Sequence, residues 1–147
     1  MLAAANRYTS RQAAAALGLR YRSFDGWLRR VGFEPTRGAQ GTGRPREWSL
    51  MDILAAHVGH YWQRQGVHWL TVRNAMNRLK ALEVGVLERS PVVTLRGEGV
   101  STTTPDHLSS AQDREAGVAV DARACLQEIV RRLRGQEPAC EACRRSA

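Results

Sequence analysis

The chain has 147 residues, a length that favours one domain, or one small domain with an appendage. Its 43% hydrophobic content is ordinary for a globular protein, whereas its net charge of +8 and isoelectric point near 10.6 are not. No run is apolar enough to span a bilayer, the first residues lack the basic-then-apolar pattern of a signal peptide, and three cysteines make no disulfide framework, so the expectation is a cytoplasmic protein with no membrane partner.

The charge is unevenly placed. Residues 1–82 hold 13 Lys/Arg against 4 Asp/Glu, and residues 83–147 hold 9 against 10. The excess lies wholly in the first part, the pattern of a nucleic-acid footprint rather than of a general solubility device. A membrane surface is the competing acidic partner, but no basic amphipathic helix with a broad lipid-facing side stands out. Arginine outnumbers lysine 21 to 1. That suits bidentate contacts to phosphate and guanine, although a GC-rich coding sequence explains most of the bias.

In chain order, Ser10 to Leu17 is an Ala-rich helix that Thr9 or Ser10 can cap. Gly18 can take the left-handed conformation that ends it. A second helix starts near Arg20, with Tyr21, Phe24, Trp27, Leu28 and Val31 on one stripe. The spacing predicts a helix-turn-helix, whose second helix usually enters the major groove. Phe24 and Trp27 read as core. Tyr21, between Arg20 and Arg22, reads equally well as a DNA contact. Gly32 and Pro35 end this helix.

Thr36 to Trp48 is rich in glycine and arginine, with short strands expected near Arg37 and over Arg46 to Trp48. A basic hairpin in this place is a wing. Its Gly43-Arg44-Pro45 core is similar to the centre of an AT-hook, and the plain alternative is a solvated turn. Ser49 with Asp52 makes a capping-box-like start to a third helix, along which Leu50, Ile53, Leu54, Val58, Tyr61 and Trp62 form a stripe. After Gly66-Val67-His68 a fourth helix carries Leu70, Ala75 or Met76, Leu79 and Leu82 inward, and Arg73, Arg78 and Lys80 outward.

Taken together, Tyr8-Thr9, Leu17-Gly18-Leu19, Arg22-Ser23-Phe24 with Trp27 and paired arginines, Arg46-x-Trp48, Asp52-Ile53-Leu54 and Gly66-Val67-His68 resemble the MerR-type winged helix-turn-helix over about residues 8–82. The resemblance implies a DNA-binding module used as a dimer. It places Arg20, Tyr21 and Arg22 at the start of the recognition helix, and Arg44 and Arg46 in the wing. The Arg37 to Pro45 loop is longer and richer in glycine than the family pattern. Gly85 and Pro91 interrupt the region where metal- or drug-sensing members extend a dimerising helix.

The remainder differs in character. Two β-rich runs flank Gly97-Glu98-Gly99, a hairpin signature; Pro105-Asp106 opens a short helix through Ser110, and Val118 to Val120 is a third strand. Asp121 then caps a helix with Ala122, Cys125, Leu126, Ile129, Val130 and Leu133 on one stripe. So small a sheet is marginal alone. The unit is expected to pack on the winged module or on a second copy, with Leu126, Ile129, Val130 and Leu133 as the dimer surface.

Cys140-Glu-Ala-Cys143 is one Cys-x-x-Cys pair, which could be a redox pair by itself, and only Cys125 and His107 are at hand to complete a zinc site. A flexible tail with incidental thiols is the simpler reading. His57, His60 and His68 read as ordinary helix residues. No phosphate loop, nucleophile elbow or paired carboxylates appear, so neither enzyme activity nor a cofactor is expected.

The resulting expectation is a mainly α protein with a small β component. Residues 1–84 form a winged helix-turn-helix, 85–135 a strand-helix unit that dimerises, and 136–147 a tail. Its partner is double-stranded DNA, read by Arg11, Arg20, Tyr21, Arg22, Arg29, Arg37, Arg44 and Arg46. The function is MerR-like transcription regulation in a bacterium or phage. The alternatives are an architectural factor (excisionase-like, or a phage DNA-packaging recognition subunit) and a protein-interaction adaptor.

Overall fold

Helix α3 (Leu50–Arg64) is buried on nearly every side, from Leu50 through Ala56 and again at Val58, Gly59 and Trp62. A helix apolar all round can only be an interior helix. The computed structural model describes residues 7–36, 45–96, 99–104 and 119–146, without the side chains of residues 96, 99 and 136–146. Ser49 and Asp52 cap α3 reciprocally: the Ser49 hydroxyl accepts from the Asp52 N–H at 3.1 Å, and the Asp52 carboxylate accepts from the Ser49 N–H at 2.9 Å. Asp52, itself fully buried, also accepts from the Thr36 hydroxyl at 2.7 Å. The cap therefore holds the chain that leaves the preceding helix.

Around α3 stand α1 (Ser10–Ala16), α2 (Tyr21–Val31) and α4 (Trp69–Lys80). Gly59 of α3 lets Met76 of α4 approach so closely that an added Cβ would lie 2.4 Å from the sulfur. Tyr61 and Leu70, expected inward, are among the exposed large hydrophobics. The interior is already filled by their neighbours Trp62 and Val72. Lys80 is not free either: its ammonium donates to the Glu34 carbonyl at 2.8 Å and lies over the Phe33 ring.

After α4 comes a helix that the sequence reading did not place, α5 (Val84–Arg89), which includes Gly85. The hairpin is present: β1 (Val92–Arg96) pairs antiparallel with β2 (Gly99–Thr103), in a register that sets Leu95 opposite Val100 and Arg96 opposite Gly99. β3 (Ala119–Asp121) pairs antiparallel with the other edge of β1, Val93 opposite Val120, so the strand order is β2-β1-β3. Pro105 to Ser110 lies outside the described residues. The molecule is thus mainly helical with a small antiparallel sheet, as composition and periodicity indicated.

Helix α6 (Ala122–Ser146) begins where the Asp121 carboxylate accepts from the Ala124 N–H at 3.0 Å. Its stripe requires a correction. Leu126, Ile129, Val130 and Leu133 are not a dimer surface but interior residues, exposed by only 7, 0, 7 and 3%. They belong to one core that runs from Tyr8 to Leu133, across the expected boundary at residue 84. The physical reason is that three short strands cannot cover the stripe, whereas α1, α3, α5 and β1 stand within reach and do. Each such side chain contributes roughly 1.5–3 kcal/mol relative to exposure. The α6 backbone stays helical to Ser146, where a tail was expected from residue 136. The side chains of Cys140 and Cys143 lie outside the described residues.

Candidate nucleic-acid interface

Helix α1 starts from a capping box. The Thr9 hydroxyl accepts from the Gln12 N–H at 3.1 Å, and the Gln12 side chain accepts from the Thr9 N–H at 2.9 Å. Four residues, Leu17 to Arg20, separate α1 from α2: Gly18 takes φ +73°, a conformation natural to glycine, and turns the chain. Phe24, Trp27, Leu28 and Val31 of α2 are buried. Phe24 packs on Trp48 with centroids 5.3 Å apart, Trp27 meets His60 edge-on at 5.2 Å, and the Trp27 indole N–H donates to the Gln63 side chain. One face of α2 is therefore locked against α3 and the segment before it.

The opposite face is built from Arg22, Gly26 and Arg29, at i, i+4 and i+7, with Arg30 beside them. All three arginines are exposed. Gly26 is a helix-interior glycine that packing does not demand, since a Cβ there would meet nothing nearer than the Arg30 guanidinium at 3.9 Å. Glycine at such a place costs about 1 kcal/mol relative to alanine. It leaves the helix backbone open to close approach from outside.

Tyr8 and Trp48 exchange two backbone hydrogen bonds, at 2.9 and 2.8 Å, and the Trp48 indole donates to Ser10 Oγ at 2.9 Å. This bridge carries Pro45 and Arg46 to the start of α1. An open hollow of about 510 Å³ results, lined by Arg11, Tyr21, Asp25, Arg29, Pro45 and Arg46 together with Thr9 and Ser10. Within it the Arg11 guanidinium lies 4.5 Å from the centre of the Tyr21 ring. Asp25 pairs with Arg29 at 3.2 Å and with Arg46 at 3.2 Å.

No family model and no curated protein matches this chain.

The structure thus gathers Arg11, Tyr21, Arg29 and Arg46 around one hollow and leaves Arg22 on the outer face of the same helix. Arg20 is exposed at the N-cap of α2, with no side-chain capping bond. Arg37 and Arg44 lie outside the described residues. Arg46 does something other than the free wing contact expected of it. Its guanidinium is held by Asp25 and, at 3.0 Å, by Glu34, and only 19% of its side chain is exposed. It braces the chain before α3 against α2, and its charge is already met by two carboxylates.

Asp25 was missed by the sequence reading, although its four-residue spacing from Arg29 signals a helix-surface ion pair. On α3, His57 and His60 face the turn between α1 and α2, beside Leu17, Gly18 and Leu19. Burial, then the charge of Arg132, pushes the His57 imidazole below its ordinary value; burial and then Arg64 do the same to His60.

Proposed function

We propose that this protein binds double-stranded DNA sequence-specifically, as a MerR-like transcription regulator. The observation that carries the reading is the outer face of α2: exposed Arg22, Arg29 and Arg30 around a bare Gly26, on a helix whose other face is fixed in the core. A rigid helix with a basic outer face is what a major groove accepts. In this reading Arg20, Tyr21 and Arg22 meet the groove, and Arg11 and Arg29 hold phosphate; Arg46 keeps the segment leading out of the wing against α2. The net charge of residues 1–82 supplies the salt-dependent part of affinity. The dimer implied by the family resemblance uses a surface other than the α6 stripe, whose side chains are buried against the rest of the chain.

The test is a binding isotherm on the selected operator at a series of salt concentrations, with sedimentation of the complex. Several phosphate contacts give a steep fall in affinity between low and physiological salt. A flat salt dependence returns the protein to the interaction-adaptor reading. An architectural role, as in an excisionase-like factor or a DNA-packaging recognition subunit, is favoured by one observation. Helix α4 ends at Lys80 and is followed by the short α5 and a sheet, in place of a long dimerising helix. Cooperative loading on tandem sites, instead of a single palindromic footprint, decides for that role.

A further inference from the structure

A second hollow, distant in sequence from the basic face of α2, opens between α5 and the first turns of α6. Its volume is about 600 Å³, within the range of small-molecule sites. The floor is apolar: Val84 and Leu87 from α5, Leu126 and Val130 from α6. The rim is cationic: Arg123, Arg131 and Arg134 stand along α6, all exposed, against the single acid Glu88. Among the described residues Arg123 and Arg134 have no ion-pair partner. An apolar trough edged by two unpaired guanidinium groups, with Arg131 beside them already paired to Glu128, complements one class of ligand, an organic anion with a hydrocarbon or aromatic body.

We propose that this groove binds such an amphipathic carboxylate or sulfonate, and that occupancy is transmitted to the turn between α1 and α2. The route is a chain of contacts. Glu128 accepts two hydrogen bonds from Arg131, at 2.9 and 2.5 Å, and one from Arg132 at 3.0 Å. Arg132 in turn donates to the Ala16 carbonyl at the end of α1, at 2.9 Å, and its guanidinium lies 3.5 Å from where a Cβ on Gly18 would be. An anion held by Arg131 competes with Glu128 for the same guanidinium. Glu128 then shifts its hydrogen bonding towards Arg132, and the grip of Arg132 on Ala16 changes with it.

The transmitted effect rests on the DNA-binding reading; the binding step does not. The full chain is titrated with 8-anilino-1-naphthalenesulfonate, followed by fluorescence, then challenged with decanoate or decylamine. One saturable site is expected, displaced by decanoate but not by decylamine, and weakened about tenfold by Arg123→Glu or Arg134→Glu. Circular dichroism verifies that these exposed changes leave the fold intact. Equal binding of the uncharged N-phenyl-1-naphthylamine, or indifference to both arginine variants, overturns the site. So does sedimentation showing that a second copy of the chain covers the groove and excludes the probe. With the site established, decanoate should shift operator affinity in the native chain and not in Arg132→Ala. An unchanged operator affinity overturns the coupling. Failure of DNA binding altogether leaves the probe titration readable, so the two readings fail separately.

Discussion

The Arg132 guanidinium donates a 2.9 Å hydrogen bond to the carbonyl oxygen of Ala16, across 116 positions of the chain. The last carbonyls of a helix have no partner within it. Here the last residue of α1 receives one from α6, together with a positive charge at the negative end of its dipole. The C-terminal helix thus acts as an external cap on the first helix of the proposed DNA reader. Arg132→Met keeps the stem and removes the donor. It should lower unfolding free energy by about 1–2 kcal/mol, measured by urea denaturation. It should also weaken operator binding beyond what the lost stability explains. Stability equal to that of the native chain denies the cap any role.

Arg22 and Arg46 separate contact from support. Arg22→Ala should leave stability within about 0.5 kcal/mol and weaken the specific site by about 1–3 kcal/mol. Arg46→Ala removes the guanidinium that ties Glu34 to Asp25 and leaves Asp25 with Arg29 as its partner. It should cost about 1–3 kcal/mol in thermal or urea unfolding, and leave the slope of log affinity against log salt as it was. If instead Arg46→Ala flattens that slope by about one unit without unfolding the protein, Arg46 is a phosphate contact after all.

Gly26→Ala tests the outer face directly. The added methyl meets only the Arg30 guanidinium at 3.9 Å, so the variant should be more stable by up to about 1 kcal/mol. Binding isotherms should show weaker DNA affinity, because the methyl stands where the groove wall approaches. A more stable variant that binds DNA as tightly as the native chain removes Gly26 from the contact surface.

Gly59→Ala acts in the opposite sense. Its Cβ would lie 2.4 Å from Met76 Sδ and 2.5 Å from Cγ. Overpacking at this junction of α3 and α4 should cost about 1–3 kcal/mol. In a Met76→Ala background the further cost should nearly vanish, which a double-mutant cycle measures. Additive costs would point to the helix backbone, not the methionine, as the source of strain.

Acid should loosen the junction of α1, α3 and α6. The imidazole of His57 is held below its ordinary value of 6.5 by burial, then by Arg132 and His60, with Glu128 opposing. The folded state therefore binds fewer protons than the unfolded chain in the window below 6.5. Stability from this group is complete above pH 6.5 and is lost as the pH falls towards the lowered value. A thermal melt series from pH 7.5 to 5 should show a falling midpoint, and His57→Gln should flatten that fall. Glu128 does not contribute there, because its hydrogen bonds to Arg131 and Arg132 hold its carboxyl down at about 2.

Local signals determined much of this protein from sequence alone. Thr9 as a cap, Ser49 with Asp52, and the glycines at 18, 32 and 66 mark helix ends by chemistry confined to a few neighbouring residues, and each of those ends is present. The hairpin and the cap at Asp121 are equally local. The uneven charge likewise needs no coordinates. What only the tertiary structure decided was where each surface is used. The α6 stripe looks the same in sequence whether it meets a second copy or its own chain; the proximity of α1 and α3 settled that it meets its own chain. Arg46 reads as a free cation until Asp25 and Glu34, 21 and 12 positions away, are brought beside it. Amphipathic period and formal charge are properties of a segment, whereas burial and pairing are properties of what the fold sets next to it.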